Sequence, residues 1–277
     1  MKCLHESARV AERRLRAKEI TRAIELLEEN VLDREQLWSW AVQLVEGHLS
    51  TTLGIRLMVV FFPDRPDDVE ALWVRLAEHA DWQRREDAAW MLSELLVAHF
   101  GEVYRPCSEW VLHPSENIRR AVAVGVKRAA KVRHPEWGQS FLDLLDPLLD
   151  DRSTYVRKNL GPFAIGDGLL RCYPHLTLQR LAAWADRPDE GTRWNVAMAF
   201  SAAEAAKHVE AALPILAELA ADDRRYVWRA VASAMRNLGR RRPAETVPVL
   251  EAWLEDEHRR QVAQVALQYI DEAPLPG

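Results

Sequence analysis

One short sequence pattern recurs about every 36 residues, and a repeat of that length limits the folds that remain possible. The copies are WQRREDAAWML at 82–92, NIRRAVAVGVKRAA at 117–130, YVRKNLG at 155–161, TRWNVAMAFSAA at 192–203 and YVWRAVASAMRNL at 226–238. The steps of 34 to 38 residues are measured between the equivalent positions Arg85, Arg119, Arg157, Arg193 and Trp228. Such a period is typical of solenoids built from pairs of helices.

An apolar segment of about three helical turns precedes each copy, as in VEALWVRLAEH at 69–79. Its apolar residues recur at three- and four-residue spacing, which predicts a helix with one buried face. Alternating β patterns are nearly absent from the chain. We therefore predict an all-α fold, an α-solenoid or α-α superhelix of about six to seven HEAT-like helical pairs. Neighbouring pairs must stack because no pair can bury its apolar face alone.

The chain of 277 residues has no Ser/Gly-rich linker, which favours one continuous architecture. We expect a single HEAT-like repeat domain over 1–277, with N-terminal helices at 1–50, repeats at 51–270 and a tail at 271–277. Its three cysteines are far apart, so neither a disulfide framework nor a metal site is expected. No segment is typical of a signal peptide or membrane span, so we expect a cytoplasmic monomer that does not associate with membranes.

Charge separates the two helices of each pair. The second, inner helices carry a large excess of Arg and Lys, most strongly at 116–133 and 224–242, whereas the first, outer helices are acidic. The net charge of −5 for the whole chain conceals this division. A basic concave face with an acidic back favours a phosphate backbone, because each neutralised phosphate releases counterions.

A structural role competes with phosphate binding for the first arginine of each copy. HEAT-type repeats place an Asp in the turn and an Arg early in the second helix, and the two pair between neighbouring units. Arg119, Arg157 and Arg193 could form such a ladder, whose acidic partners would be Asp150, Asp151, Asp189, Asp222 and Asp223.

The tryptophans divide in the same way. We expect Trp73, Trp110, Trp184 and Trp253, near the ends of outer helices, to pack in the core. Trp82 and Trp194 stand at the start of inner helices beside arginines, and we expect both to be partly exposed. An exposed aromatic ring there could stack on a base or sugar.

Four segments together resemble the DNA alkylation repair glycosylases built from HEAT-like repeats, the AlkC/AlkD family. They are DWQRRE at 81–86, WVLHPSENIRRAVAVG at 110–125, LDDRSTYVRKNLG at 149–161 and TRWNVAMAF at 192–200. The likeness covers about residues 70 to 205, in the same order and at similar intervals. The chain departs from AlkD-type members at Gly161-Pro162, where they carry Gly-Trp.

The resemblance implies binding of alkylated double-stranded DNA and release of cationic N-alkylated purines, without a metal or cofactor. A carboxylate would stabilise the sugar cation that develops as the glycosidic bond breaks. Glu86 matches the acid of the family motif and is the first candidate for this catalytic role; Asp167 is the second. The implied DNA-binding residues are Trp82, Arg85, Arg119, Arg120, Lys127, Arg157, Lys158, Arg193, Trp194 and Arg229.

A second hypothesis is a non-enzymatic HEAT-repeat scaffold that binds an acidic protein or peptide in its concave groove. Both hypotheses depend on the same cationic inner surface.

The segment GPFAIGDG at 161–168 interrupts an inner helix with Pro162 and three glycines. Because proline lacks an N–H and glycine permits irregular backbone, we expect the helix to stop near Leu160 and restart at Pro162.

Overall fold

The computed structural model describes residues 17–30, 33–47 and 50–270. These residues are helical with short connections and contain no strand, which confirms the all-α prediction. Contacts divide the chain into two compact units, Met1–Tyr104 and Arg105–Gly277, called here unit 1 and unit 2. The prediction of a single repeat domain over 1–277 stays a prediction, and its tail at 271–277 lies outside the described residues.

In unit 1, two helices pack against a third, central helix. Its helices are α1 (Ala17–Asn30), α2 (Arg34–Glu46), α3 (Thr51–Phe61), α4 (Pro66–Ala77) and α5 (Trp82–Ala98). The apolar helix α3 packs against α2 and α5, and α5 also packs against α4. Trp73 lies fully buried between α4 and α5, where its indole N–H donates to the Ala88 carbonyl at 2.9 Å.

Unit 2 continues the helical pairs. The next helix, α6 (Phe100–Trp110), contains the boundary between the units. It is followed by α7 (Glu116–Ala129), α8 (Trp137–Leu145), α9 (Thr154–Asn159), α10 (Leu170–Cys172), α11 (Pro174–Ala185), α12 (Glu190–Ala199), α13 (Val209–Leu219), α14 (Arg225–Arg241), α15 (Pro243–Trp253) and α16 (Arg260–Leu267).

These helices form two layers. In the outer layer, α8, α11, α13 and α15 pack successively against one another. In the inner layer, α7, the segment from α9 to α10, α12, α14 and α16 do the same. Stacked helical pairs with each layer contacting its neighbours are the architecture of an α-solenoid, which the repeat length predicted.

The recurring sequence pattern is explained by the turn between the paired helices. Asp81, Ser115, Ser153 and Asp189 each cap an inner helix through a side-chain oxygen that accepts a backbone N–H. Such caps satisfy donors that a helix N-terminus leaves open. An arginine of the same turn then reaches back to carbonyl oxygens near the end of the preceding outer helix, as Arg85 does to His79 and Ala80, both at 2.8 Å.

The outer-helix tryptophans pack as predicted. Trp73 and Trp184 are fully buried, and Trp110 and Trp253 are nearly so. The Trp184 indole N–H also donates to the carboxylate of Asp146 at 2.9 Å. These rings therefore belong to the core and are not available to a ligand.

The prediction that the inner helix stops near Leu160 and restarts at Pro162 is wrong. The chain widens into a π-helix over Leu160–Leu169 and then enters α10, so the helix continues through Pro162. At the point of widening, the Gly161 N–H donates to the side-chain oxygen of Asn195 at 3.0 Å, and Pro162 has no N–H to satisfy. The wider turn therefore leaves no unsatisfied donor at these two residues.

The glycines of this segment permit close packing, not irregular backbone. None of the described glycines has a positive φ. A Cβ atom on Gly161 would lie 2.7 Å from the backbone oxygen of Asn195, and one on Gly166 would overlap the carbonyl oxygen of Ala199. Both contacts are with α12, so the π-helix lies directly against the backbone of the next inner helix.

Candidate functional site

Two of the predicted phosphate-binding arginines are engaged within the fold. Arg119 donates to both oxygens of Asp151, at 2.6 and 3.0 Å, and to two backbone carbonyls. Arg193 pairs with Asp222 at 2.8 Å and with Glu218 at 3.3 Å, and it also donates to the Ala185 carbonyl. The ladder alternative is therefore confirmed for these two arginines.

Asp222 is the most strongly held acid of this ladder. Its carboxylate is nearly buried and accepts hydrogen bonds from Arg193, from the Arg224 guanidinium and from the Arg224 N–H. Burial alone would raise the pKa of Asp222, but the hydrogen bonds from Arg224 and Arg193 outweigh it and lower the pKa to about 2. This acid is a structural counter-ion for two cations.

Arg157 breaks the pattern of the ladder. Although it occupies the equivalent position, it forms no ion pair with the described residues, and its guanidinium lies over the ring of Tyr226, 5.2 Å from the centroid. The Tyr226 ring stacks on Trp194 with centroids 5.1 Å apart and an angle of 9° between the planes. Arg157, Trp194 and Tyr226 thus join three successive inner helices in one aromatic and cationic cluster.

An open groove of about 570 Å³ lies beside this cluster, between α12 and α14. The α12 wall is formed by Glu190, Trp194 and Met198. The α14 wall includes Arg225, Tyr226, Arg229 and Ala230. Arg225 and Arg229 are exposed, as is the predicted residue Lys158 of α9, and within the described residues none of the three forms an ion pair. We call the open space between these two walls the α12/α14 groove.

Asp167, the second predicted acid, lies in the π-helix and is held between two cations. Its oxygens pair with Lys127 at 2.7 Å and Arg171 at 2.5 Å. The Lys127 ammonium is nearly buried and also lies 3.2 Å from the centroid of the Phe163 ring. Burial lowers the pKa of Lys127, and the pairing with Asp167 opposes that shift. Asp167 and Lys127 therefore neutralise each other.

Arg120 has also been drawn into the packing of unit 2. Only 6% of its surface is exposed, and its guanidinium lies 5.2 Å from the centroid of the Tyr155 ring. A phosphate could reach this group only after rearrangement of its surroundings. The burial follows from its position one residue after Arg119, on the side of α7 that faces the next inner helix.

Three predicted residues lie in unit 1, at the start of α5. Trp82 is 62% exposed and Trp194 in unit 2 is half-buried, so both are partly exposed, as predicted. Glu86 is half-buried and follows Trp82 by four residues, so the two share one face of α5. Arg85 points back to the turn carbonyls described above. Glu86 and Asp167 belong to different units.

The predicted site residues did not include Arg225, Tyr226 or Met198, although Arg225 belongs to the basic segment at 224–242. The spacing of these residues in the sequence could have indicated them. Residues 194 and 198 are four positions apart, and so are residues 225 and 229 and residues 226 and 230. That spacing places each pair on one helix face. The sequence does not show that these faces of α12 and α14 contact each other, because the two helices are about 30 residues apart in the chain.

Across residues 17–30, 33–47 and 50–270, no group of His, Cys, Asp or Glu side chains is arranged to hold a metal ion. Within the same ranges, every helix is too short or too polar to cross a membrane.

Comparison with known proteins gives no match to a family model and none to a curated protein. Among solved structures, an engineered protein is 20% identical, with 73% of this chain and 98% of that chain covered and a TM-score of 0.35. A designed armadillo repeat protein in complex with the peptide (KR)4 is 21% identical, with 72% and 98% covered and a TM-score of 0.33. A computationally designed armadillo repeat protein for modular peptide recognition is 22% identical, with 71% and 98% covered and a TM-score of 0.32. The solenoid assignment rests on the helices themselves.

Proposed function

We propose that this helical-repeat chain is a non-enzymatic binding protein that holds an acidic protein segment against the inner layer of unit 2. The observation that carries the proposal is the set of cations around the Trp194–Tyr226 pair. Arg157, Arg225 and Arg229 form no ion pair within the described residues, whereas Arg119 and Arg193 in the same layer are fully engaged. Cations that form no ion pair within the fold can pair with a ligand without first giving up another carboxylate.

The apolar part of the α12/α14 groove favours a protein segment over duplex DNA. Met198, Ala230 and the two aromatic rings line it. The exposed Arg225 and Arg229 on α14 outnumber the single exposed acid of the groove, Glu190 on α12. Duplex DNA stacks its base faces internally and presents mainly phosphates to a surface of this kind. An acidic peptide supplies carboxylates for the two arginines and apolar side chains for the floor, so it satisfies both parts.

Competition between two ligands of equal charge tests this proposal. Fluorescence anisotropy would measure the binding of a labelled Glu-rich peptide containing apolar residues, at several salt concentrations, with an unlabelled DNA duplex as competitor. We expect the peptide to bind and to resist displacement by duplex of equal total charge. Tighter binding of the duplex, or no binding of the peptide at low salt, would contradict the proposal.

DNA alkylation repair is the second candidate, and one observation favours it. The exposed ring of Trp82 and the carboxylate of Glu86 share a face of α5, which places an aromatic residue and an acid side by side. This candidate would use Glu86 as the acid that stabilises the sugar cation. Asp167 suits that role less well because Lys127 and Arg171 already neutralise it.

Release of free methylated purine from methylated duplex DNA tests the second candidate. If the chain acts in this way, Glu86→Gln abolishes release and Asp167→Asn leaves most of it. Absence of release from the unmodified chain would eliminate the candidate, and release by Glu86→Gln at the normal rate would exclude Glu86 as the acid.

A further inference from the structure

We infer that the α12/α14 groove selects acidic segments that carry an aromatic side chain, with carboxylates placed two residues from it along an extended peptide. The inference rests on the proposed function and specifies which acidic segments are bound. It depends on the floor of the groove, on the spacing of its two exposed arginines and on the geometry of an extended chain.

The floor of the groove offers the contacts that an aromatic ring prefers. Trp194 and Tyr226 are stacked in parallel, and Tyr226 remains 37% exposed. Met198 follows Trp194 by one helical turn and adds a thioether to the same wall. Aromatic rings gain by packing on other rings and on methionine sulfur, beyond the apolar area that they bury. A volume of about 570 Å³ accommodates one such side chain with its flanking backbone.

The two exposed arginines set a spacing for carboxylates. Arg225 and Arg229 are four residues apart on α14, which places their Cβ atoms roughly 6 Å apart on one face. In an extended peptide, alternate side chains lie on the same side, roughly 7 Å apart. Two glutamates separated by a single residue therefore match the two arginines.

The same alternation fixes where the aromatic residue must stand. A side chain that enters the groove lies on the side of the peptide that faces the protein, and so do residues two and four positions away from it. Glutamates at those positions face Arg225 and Arg229. Glutamates at odd positions face solvent and gain little from the arginines.

Two peptides of identical composition test the inference. The first, Ser-Glu-Ser-Glu-Ser-Trp-Ser-Glu-Ser-Glu-Ser, places its glutamates on the same side as the tryptophan in either binding direction. The second, Ser-Ser-Glu-Ser-Glu-Trp-Glu-Ser-Glu-Ser-Ser, places them on the opposite side. We expect the first to bind about tenfold more tightly in isothermal titration calorimetry, the size expected for well-formed charge and aromatic contacts. Equal affinities would overturn the inference while leaving the proposed function in place.

Variants of the groove distinguish failure of this inference from failure of the proposed function. Ser233→Trp fills the groove without changing its charge, and we expect it to abolish the preference while both peptides still bind. Met198→Ala widens the floor and should reduce the preference, and it provides the test if Ser233→Trp does not fold. A preference that persists in both variants would place the aromatic side chain elsewhere. If neither peptide binds the unmodified chain, the proposed function itself fails.

Discussion

The inner layer of unit 2 contains two sets of arginines that the sequence makes look alike. Arg119 and Arg193 hold the turns between helices, each bonded to a carboxylate and to backbone carbonyls. Arg225 and Arg229 stand exposed on α14 and form no ion pair within the described residues. The first set, called here the turn set, has its charge compensated inside the protein. The second set, called here the groove set, has its charge available to a partner.

The contacts of each arginine separate the two sets. Arg119 and Arg193 are each the fourth residue of their helix and lie beside the carbonyls that end the preceding helix, so they become part of the turn. Arg225 and Arg229 are the first and fifth residues of α14, and neither forms an ion pair within the described residues. Formal charge alone therefore overstates the binding capacity of the inner layer, because the turn arginines contribute to that count without facing a ligand.

The largest effect should come from removing Asp222, the buried counter-ion of the turn arginine Arg193. Asp222→Asn leaves Arg193 and Arg224 without their shared carboxylate, of which only 2% is exposed. We expect the free energy of unfolding to fall by about 3 kcal/mol, the usual cost of breaking a buried ion pair. Guanidinium denaturation would measure it. Asp223→Asn, at the exposed neighbouring position, should change stability little, and equal losses in both variants would argue against the turn set.

Acid should remove the same stabilisation. The pKa of Asp222 is about 2 in the folded chain and near 3.9 when unfolded, so its contribution is fully present above the unfolded value. It is lost as the pH falls from about 5 towards 2, and amounts to about 3 kcal/mol. Denaturation experiments across this pH range would measure the free energy of unfolding. The difference in this quantity between the unmodified chain and Asp222→Asn should become smaller as the pH falls. A constant difference would mean that Asp222 is not the group that titrates.

A further test concerns the scaffold that brings the inner helices together. Gly166→Ala would place a methyl group against the Ala199 carbonyl, so α12 must shift away from the π-helix. We expect a loss of about 2 kcal/mol in unfolding free energy, typical of overpacking. Gly101→Ala is the matched control, because a Cβ there meets nothing within 4 Å. Equal denaturation midpoints for the two variants would contradict close packing at Gly166.

Most of the fold could be predicted from the sequence because the repeat is a local signal. The caps at Ser115 and Asp189 and the tryptophans of the outer helices recur at fixed offsets, so the layers follow from the period alone. The π-helix could not be predicted in this way. It depends on Asn195, which lies 34 residues from Gly161 and supplies the acceptor that keeps the helix continuous.

The candidate site was harder to predict from the sequence, for the same physical reason. Arg119 and Arg157 occupy equivalent positions, yet one meets Asp151 and the other meets the ring of Tyr226. Asp189, one of the acids expected in the ladder, instead caps α12 by accepting a hydrogen bond from the Thr192 N–H at 2.7 Å. Which arginine becomes available to a ligand is thus decided by the partner in the next repeat, and no pattern within one repeat contains that information.

The smallest effect on stability and the clearest effect on binding should come from the groove set. Arg225→Gln with Arg229→Gln removes two exposed charges that form no ion pair within the described residues, so the denaturation midpoint should hardly change. Affinity for the Glu-rich peptide should fall about tenfold, equivalent to about 1.4 kcal/mol, with a weaker dependence on salt. Arg105→Gln removes one exposed charge from α6, outside the groove, and should lower affinity far less. If the double variant lost stability instead of affinity, the groove arginines would belong with the turn set, and the distinction between the two sets would fail.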